Sequence, residues 1–498
     1  MKECLISISC YFIFSLSYAQ EPIKGDYPNI VYILADDMGY GDLSSLNKNS
    51  GIKTPNMDKI VDQGVYFTDA HSNSSVCTPT RYGILTGRYA WRTRLKEGVL
   101  WGYDAPLIEN KQVTVASFLK QNGYHTACIG KWHLGIGWNP IDSDKPIENY
   151  HWHNLYDSEL GSNVDFAKDV SGPNEVGFDY SYVIPASLDM TPYLYLENGK
   201  ALGLPMTYTP GKNQAKDGRG VIWRAGEVAS NFVFEEVLEN ITDKAVRYIK
   251  ERRNSENPFF LYFPLTAPHT PWLPGDKAKG SSQAGRYGDF VTMVDDTVGE
   301  VIEALEQAGK INNTLIIVTS DNGAHWTPED KEEYEHRSNY AFRGQKADIY
   351  EGGHHVPYIA YWPGKIKPGT SSNQVICTTD LLATIAAIID KPLPENAGED
   401  SYNMLPAYLN PHLDESIRDY TIHHSLSGYF SIRKGKWKLT PHLGSGGFSE
   451  PKDFDKKEEG KEGTLYDLVN DPEETINLYN EKPKIVNELL TLLNESKQ

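Results

Sequence analysis

Apolar residues along the 498-residue chain fall into two kinds of run, and each predicts a different element. Asn29-Ile30-Val31-Tyr32-Ile33-Leu34, Phe259-Phe260-Leu261-Tyr262-Phe263 and Thr314-Leu315-Ile316-Ile317-Val318 are short, continuous and rich in β-branched or aromatic residues. That is the pattern of strands buried on both faces of a parallel sheet. Val291, Val294, Val298, Val301, Ile302 and Leu305 instead recur at helical spacing, with Gly309 as the stop, and predict a helix packed on that sheet.

After about Pro392 the pattern shifts to shorter alternating pieces. Tyr429 to Leu439, with Gly435 between two strand-like runs, predicts a hairpin. Ile485, Val486, Leu489, Leu490 and Leu493 share one face of a final helix, roughly Pro483 to Asn494. Trp138 to Trp223 is aromatic and loop-rich, and reads as an insert above the sheet. The expected fold is α/β: a large mixed, mostly parallel sheet flanked by helices over 20–392, then a smaller C-terminal antiparallel sheet packed by a helix over 393–498.

Composition narrows the partners. A formal charge of −19 and a pI near 5.2, without basic stripes, argue against nucleic acid and anionic membranes as partners. The mixed charge run from Lys452 to Glu462 reads as a solvated loop. At the N-terminus Met1-Lys2, an apolar stretch from Leu5 to Leu16 and Ser17-Tyr18-Ala19 fit a signal peptide over residues 1–19. Cys10 lies inside the apolar run without the small residues a lipoprotein signal needs before it, and no later segment is apolar enough to span a membrane. Cys4 and Cys10 leave with the signal, so Cys77, Cys128 and Cys377 remain, too few for a disulfide framework. The expectation is an exported enzyme, periplasmic or secreted, of bacterial type.

Candidate chemistry sits at the ends of the apolar runs. Asp36-Asp37 and Asp321-Asn322 each follow a predicted strand, where open α/β sheets place their sites. All four are oxygen donors, which suits a hard divalent cation such as calcium or magnesium rather than zinc. Lys131 and His133 in Gly130-Lys131-Trp132-His133-Leu134-Gly135, with Arg81, His269 and Lys346, add the charges that a tetrahedral oxyanion needs. Taken singly, an Asp pair is a cap, a His a structural residue and a Cys a small hydrophobe. Cys77 in Ser75-Val76-Cys77-Thr78-Pro79-Thr80-Arg81 stands too close to Arg81 for a tyrosine-phosphatase loop, and a thiolate matches a hard metal poorly.

Cys77-Thr78-Pro79-Thr80-Arg81 with Leu85-Thr86-Gly87 resembles the signature of the type I sulfatases, within the alkaline-phosphatase-like superfamily. The resemblance implies that Cys77 is oxidised to Cα-formylglycine by a formylglycine-generating or sulfatase-maturing enzyme. It further implies Asp36, Asp37, Asp321, Asn322 and residue 77 as metal ligands, and Arg81, Lys131, His133, His269 and Lys346 as catalytic groups. Leu465-Tyr466-Asp467-Leu468 with Asp471-Pro472-Glu473 is similar to the family's closing C-terminal segment. Thr80 stands where serine is common, and His355 where many relatives carry arginine after Glu351-Gly352-Gly353.

The implied reaction is attack of the hydrated formylglycine on sulfur, with His269 and Lys346 protonating the leaving oxygen. The sulfate hemiester then collapses as His133 deprotonates the second hydroxyl. The implied substrate is a sulfated carbohydrate, of algal type such as ulvan or carrageenan or of glycosaminoglycan type, with Asp189, His151, Trp152, His153, Tyr193, His423 and His424 as candidate contacts. Two alternatives stay open: a phosphate or phosphonate ester hydrolase of the same superfamily, and a non-catalytic binder of sulfated glycans.

Overall fold

The computed structural model describes residues 27–149, 161, 163–453 and 462–497. The expected signal peptide, the candidate contacts His151, Trp152 and His153, and most of the 452–462 charge run lie outside them.

The predicted strands form the middle of a ten-stranded sheet. Asn29–Ala35 lies between Thr314–Ser320 and Phe259–Pro264, parallel to both, and His125–Lys131 and Tyr180–Ile184 extend the parallel part on one side. Tyr358–Tyr361 closes the other side antiparallel, followed by Val65–Phe67 and Thr370–Ser372. Nearly every residue of the four inner strands is buried, which is why their sequences run apolar without alternation. The valine stripe lies on the 23-residue helix Gly285–Gln307, with Val291, Val294, Val298, Val301 and Leu305 fully enclosed.

One expectation changes. The stretch read as an insert contributes Tyr180–Ile184 to the main sheet, parallel to His125–Lys131. Its Tyr-Ser-Tyr pattern carries polar groups into a nearly buried strand and so lacks the unbroken apolar run of its neighbours.

The C-terminal region forms a four-stranded antiparallel sheet from Thr421–His424, Phe430–Lys434, Trp437–Thr440 and Thr464–Asp467. The predicted hairpin turns at Gly435, which takes φ +55°, a left-handed conformation that favours glycine. Helix Pro483–Ser496 covers this sheet with Val486, Leu489 and Leu493. Among the described residues no helix is long and apolar enough to cross a membrane.

Candidate active site

Register places the two oxygen pairs side by side. Ala35 lies opposite Ser320, so the chain leaves both strands at one level and Asp36-Asp37 meets Asp321-Asn322. The Asp37 amide donates to Asp321 Oδ1 at 3.1 Å, and Asn322 Nδ2 donates to Asp37 Oδ1 at 2.6 Å. Asp37 adopts φ +70°, a conformation its short polar side chain tolerates better than most. Gly323 follows where a Cβ would fall 1.9 Å from the Gly352 carbonyl oxygen, so only glycine lets the 344–353 segment close over this turn.

Cys77 opens the helix Cys77–Thr86, whose ten residues are all buried. Arg81 lies one turn on, on the same face. Its Nε and Nη2 donate to Asp321 Oδ2 at 3.1 and 2.7 Å, Nη1 donates to the Lys131 carbonyl at 3.0 Å, and Nη2 lies 3.2 Å from Asp36 Oδ1. Lys131, at the end of its strand, donates through Nζ to both Asp36 oxygens at 2.9 and 2.7 Å and to Ser187 Oγ at 3.1 Å. Lys346 Nζ donates to Asp37 Oδ2 at 2.8 Å.

The two histidines are set in opposite ways. His269 Nδ1 donates to the Thr270 carbonyl at 2.6 Å, leaving Nε2 facing Asp37 Oδ2 at 3.8 Å. His133, at φ +55°, donates Nε2 to the Leu100 carbonyl at 2.7 Å, which leaves Nδ1 buried with a lone pair and no partner. Carbonyl acceptors thus fix both tautomers.

Electrostatics follow from burial and crowding. Burial raises the Asp36 carboxyl, but Lys131, His269 and Arg81 outweigh it and hold it well below the usual range. Burial and the neighbouring Asp36 push Asp321 up to about 7 despite Arg81. Burial, with Lys131 and Arg81, keeps His133 far below its ordinary value, and burial with Lys346 lowers His269. Burial pushes the Cys77 thiol up, so the side chain is a poor thiolate.

Ligand atoms of Asp36, Cys77 and Asp321 lie within 4.8 Å of one another, as do those of Asp36, Asp37 and His269. Asn322 Oδ1 is buried beside them with no hydrogen-bond partner. An orphaned amide oxygen among three carboxylates is a donor set that fits a hard divalent cation.

The other sequence-derived positions separate. Asp189 is buried, and its Oδ2 accepts from Arg224 Nη1, with His269 and Lys346 among the charges that act on it. Tyr193, expected as a substrate contact, is buried against Phe232 and Phe234 and donates its hydroxyl to the Arg224 carbonyl at 2.8 Å. His423 and His424, also expected as contacts, are enclosed on strand Thr421–His424. The His423 ring stacks on His354 at 3.9 Å and its Nδ1 bonds the Ser72 carbonyl at 3.0 Å. Two histidines at a strand end look like ligands in sequence; here both faces of the strand are covered. His355 pairs with Glu351 at 3.2 Å and stacks on Phe342, taking up the position where arginine is common. Ser187, which bridges Lys131 and lies 3.3 Å from His269 Nδ1, and the Leu100 carbonyl carry no sequence signal.

A sequence model described as Sulfatase matches residues 28–391, and one described as N-sulphoglucosamine sulphohydrolase, C-terminal, matches 342–498. The N-acetylgalactosamine-6-O-sulfatase of Bacteroides thetaiotaomicron is 32% identical over 94% of this chain and 93% of its own length. Human arylsulfatase A is 31% identical over 91% of this chain and 83% of its own. A solved Bacteroides thetaiotaomicron structure, described with the metabolism of multiple glycosaminoglycans, superposes with a TM-score of 0.81 at 31% identity, covering 95% of this chain and all of that one. The chain belongs to the sulfatase family, the type I sulfatases of the alkaline phosphatase superfamily.

Proposed function

We propose that the protein is an exported sulfatase that hydrolyses sulfate esters on a sulfated polysaccharide or oligosaccharide, with Cys77 matured to formylglycine and calcium bound by the oxygen cluster. One observation carries this reading. Cys77 Sγ lies within 4.8 Å of ligand oxygens of Asp36 and Asp321, where a hard-metal site has no use for a thiol. A matured residue 77 would present oxygen there instead. The relative named N-acetylgalactosamine-6-O-sulfatase supports a sulfated sugar as the substrate class. A formylglycine-generating or sulfatase-maturing enzyme is the implied partner.

Asp36, Asp37, Asp321 and Asn322 would hold the cation, which when bound supplies a Lewis-acid charge for the sulfate oxygens. Arg81 and Lys131 fix the carboxylates from behind and add positive charge at the base of the site. His269, whose Nδ1 proton is committed to the Thr270 carbonyl, would act at the leaving oxygen through Nε2, which must take up a proton before it can give one, and Lys346 lies beside it. His133 Nδ1 is the buried base with a free lone pair, suited to taking a proton from residue 77. Burial, with Lys131 and Arg81, keeps that ring neutral.

The test is mass spectrometry of the peptide spanning residue 77, from protein purified after expression with a maturing enzyme, beside sulfate release from sulfated oligosaccharides and phosphate release from matching phosphate esters. Formylglycine with sulfate release is expected. Faster phosphate release would favour the phosphohydrolase alternative, and an unmodified cysteine without release the binding protein.

A further inference from the structure

The 343–353 segment carries Lys346 to Asp37 Oδ2 and then runs on to the turn that bears Asp321 and Asn322. It closes on itself, since the Gly352 amide donates to the Arg343 carbonyl at 2.7 Å. Its far end meets the oxygen cluster: the Gly353 carbonyl accepts the Gly323 amide at 2.9 Å, one residue beyond Asn322. Support comes from the smaller sheet, through Glu474 on the turn after strand Thr464–Asp467. The Glu474 carbonyl accepts Arg343 Nη1 at 2.7 Å, and its Oε2 accepts the Glu351 amide at 2.7 Å, so one residue holds both ends of the segment.

Glu474 Oε1 lies 2.9 Å from Lys438 Nζ, whose other neighbours are Glu351 Oε1 at 3.0 Å and His354 Nε2 at 3.1 Å. All of these side chains are buried. The backbone of Glu474 takes φ +53°, a left-handed conformation that a glutamate rarely adopts. Glycine would take it freely, whereas a longer residue stays there only when its contacts over-determine it. Pairing Lys438 does not demand this, because Glu351 already offers it a carboxylate. What Glu474 alone supplies is an acceptor for the Glu351 amide, a donor at the start of helix Glu351–His354 that the helix itself cannot pair.

We propose that Glu474 is a positioning residue for the reaction: by fixing both ends of the 343–353 segment it sets the reach of Lys346 to Asp37 and the seat of the Asp321-Asn322 turn that would hold the cation. The proposal rests on the sulfatase reading of the oxygen cluster. Glu474 acts through the backbone of 351–353 rather than by contact with substrate, and the hydrogen bond from the Glu351 amide is the link that transmits its position.

The test compares Glu474→Gly and Glu474→Gln in the matured enzyme. Glycine suits the left-handed backbone and leaves Lys438 beside Glu351 and His354, so that variant should fold while losing the link. Glutamine keeps an oxygen for the Glu351 amide and loses only the charge toward Lys438. Both should melt below the parent. Calcium affinity is read by calorimetry on protein stripped of metal, and kcat at saturating calcium on the sulfated oligosaccharide that the parent cleaves fastest. Glu474→Gly is expected to lose about 10-fold in each with KM unchanged, and Glu474→Gln to stay within about 3-fold of the parent. A Glu474→Gly enzyme with parental calcium affinity and kcat would make the residue structural only and overturn the proposal. So would a Glu474→Gln enzyme as impaired as Glu474→Gly, which would place the effect in the charge. If Glu474→Gly does not fold, Arg343→Leu releases the other end of the segment and is expected to lose about 3-fold or more in both quantities; unchanged values there would overturn the proposal as well. A matured parent that binds calcium and releases sulfate from no sugar would instead overturn the sulfatase reading, and calcium affinity alone would then judge Glu474.

Discussion

The Ser75 amide donates to the His424 carbonyl at 3.0 Å, so a strand of the C-terminal sheet grips the chain two residues before Cys77. The same carbonyl accepts Ser74 Oγ at 3.1 Å and Ser75 Oγ at 3.2 Å. From the other side the Ala347 amide donates to the Ser75 carbonyl at 2.8 Å, one residue from Lys346. The smaller sheet is therefore part of the apparatus that sets the distance between residue 77 and Lys346.

His423 extends this grip through Nδ1 to the Ser72 carbonyl. His423→Leu deletes the donor and is expected to lower kcat about 5- to 10-fold, the worth of one buried hydrogen bond, with KM unchanged. In His423→Asn the amide nitrogen takes the place of Nδ1, and most of the rate should return. Sulfate release per mole of matured residue 77 is the measurement; a rise in KM with unchanged kcat would mean that His423 does contact substrate.

Burial should also make this junction sensitive to acid. It lowers the His424 imidazole to about 4, whereas an unfolded histidine titrates near 6.5. Below pH 6.5 the unfolded chain takes up a proton that the folded chain refuses until about pH 4. Stability is then fully present above pH 6.5 and falls by about 3 kcal/mol between 6.5 and 4. Thermal melts at pH 7.5 and 5.0 should show the loss, and His424→Gln should flatten the slope by the equivalent of one proton.

The site was legible in sequence to the extent that its groups are anchored to strand ends. Asp36-Asp37 and Asp321-Asn322 follow unbroken apolar runs, and a parallel register alone brings them together. Ser187 was not legible, because a single serine in a loop acquires its role only when Lys131 and His269 arrive from distant strands. That His423 and His424 are enclosed was not legible for a related reason. Sequence shows which residue types end a strand but not whether a second sheet covers them, and here the 72–76 loop does so from one side. Strand Tyr180–Ile184 escaped because its tyrosines and serine break the apolar pattern that marked its neighbours.

Chelation tests the oxygen cluster. Dialysis against EDTA is expected to abolish sulfate release and lower Tm, with calcium restoring both. Asn322→Ala removes the orphaned oxygen and should raise the calcium needed for half recovery at least about 10-fold. Since Asp321 titrates near 7 without the cation and must be ionised to bind it, calcium affinity should weaken as pH falls through about 7. Full activity after exhaustive chelation would remove the metal from the mechanism.

Lys131 separates catalysis from stability. Its ammonium is fully buried between Asp36 and Ser187, and removing one preorganised charge from such a site costs on the order of 100-fold in rate. Removing one partner of a buried ion pair is ordinarily also destabilising by about 3 to 5 kcal/mol. Asp36 keeps a second cation, however, because Arg81 Nη2 lies 3.2 Å from Oδ1. A divalent ion held by the same carboxylate would add a third. Lys131→Ala should therefore melt below the parent in EDTA, recover most of that difference in calcium, and stay about 100-fold slow in both kcat and kcat/KM. A variant as fast as the parent would exclude Lys131 from the reaction, while one whose rate returned with its Tm would make it a structural ion pair and nothing more.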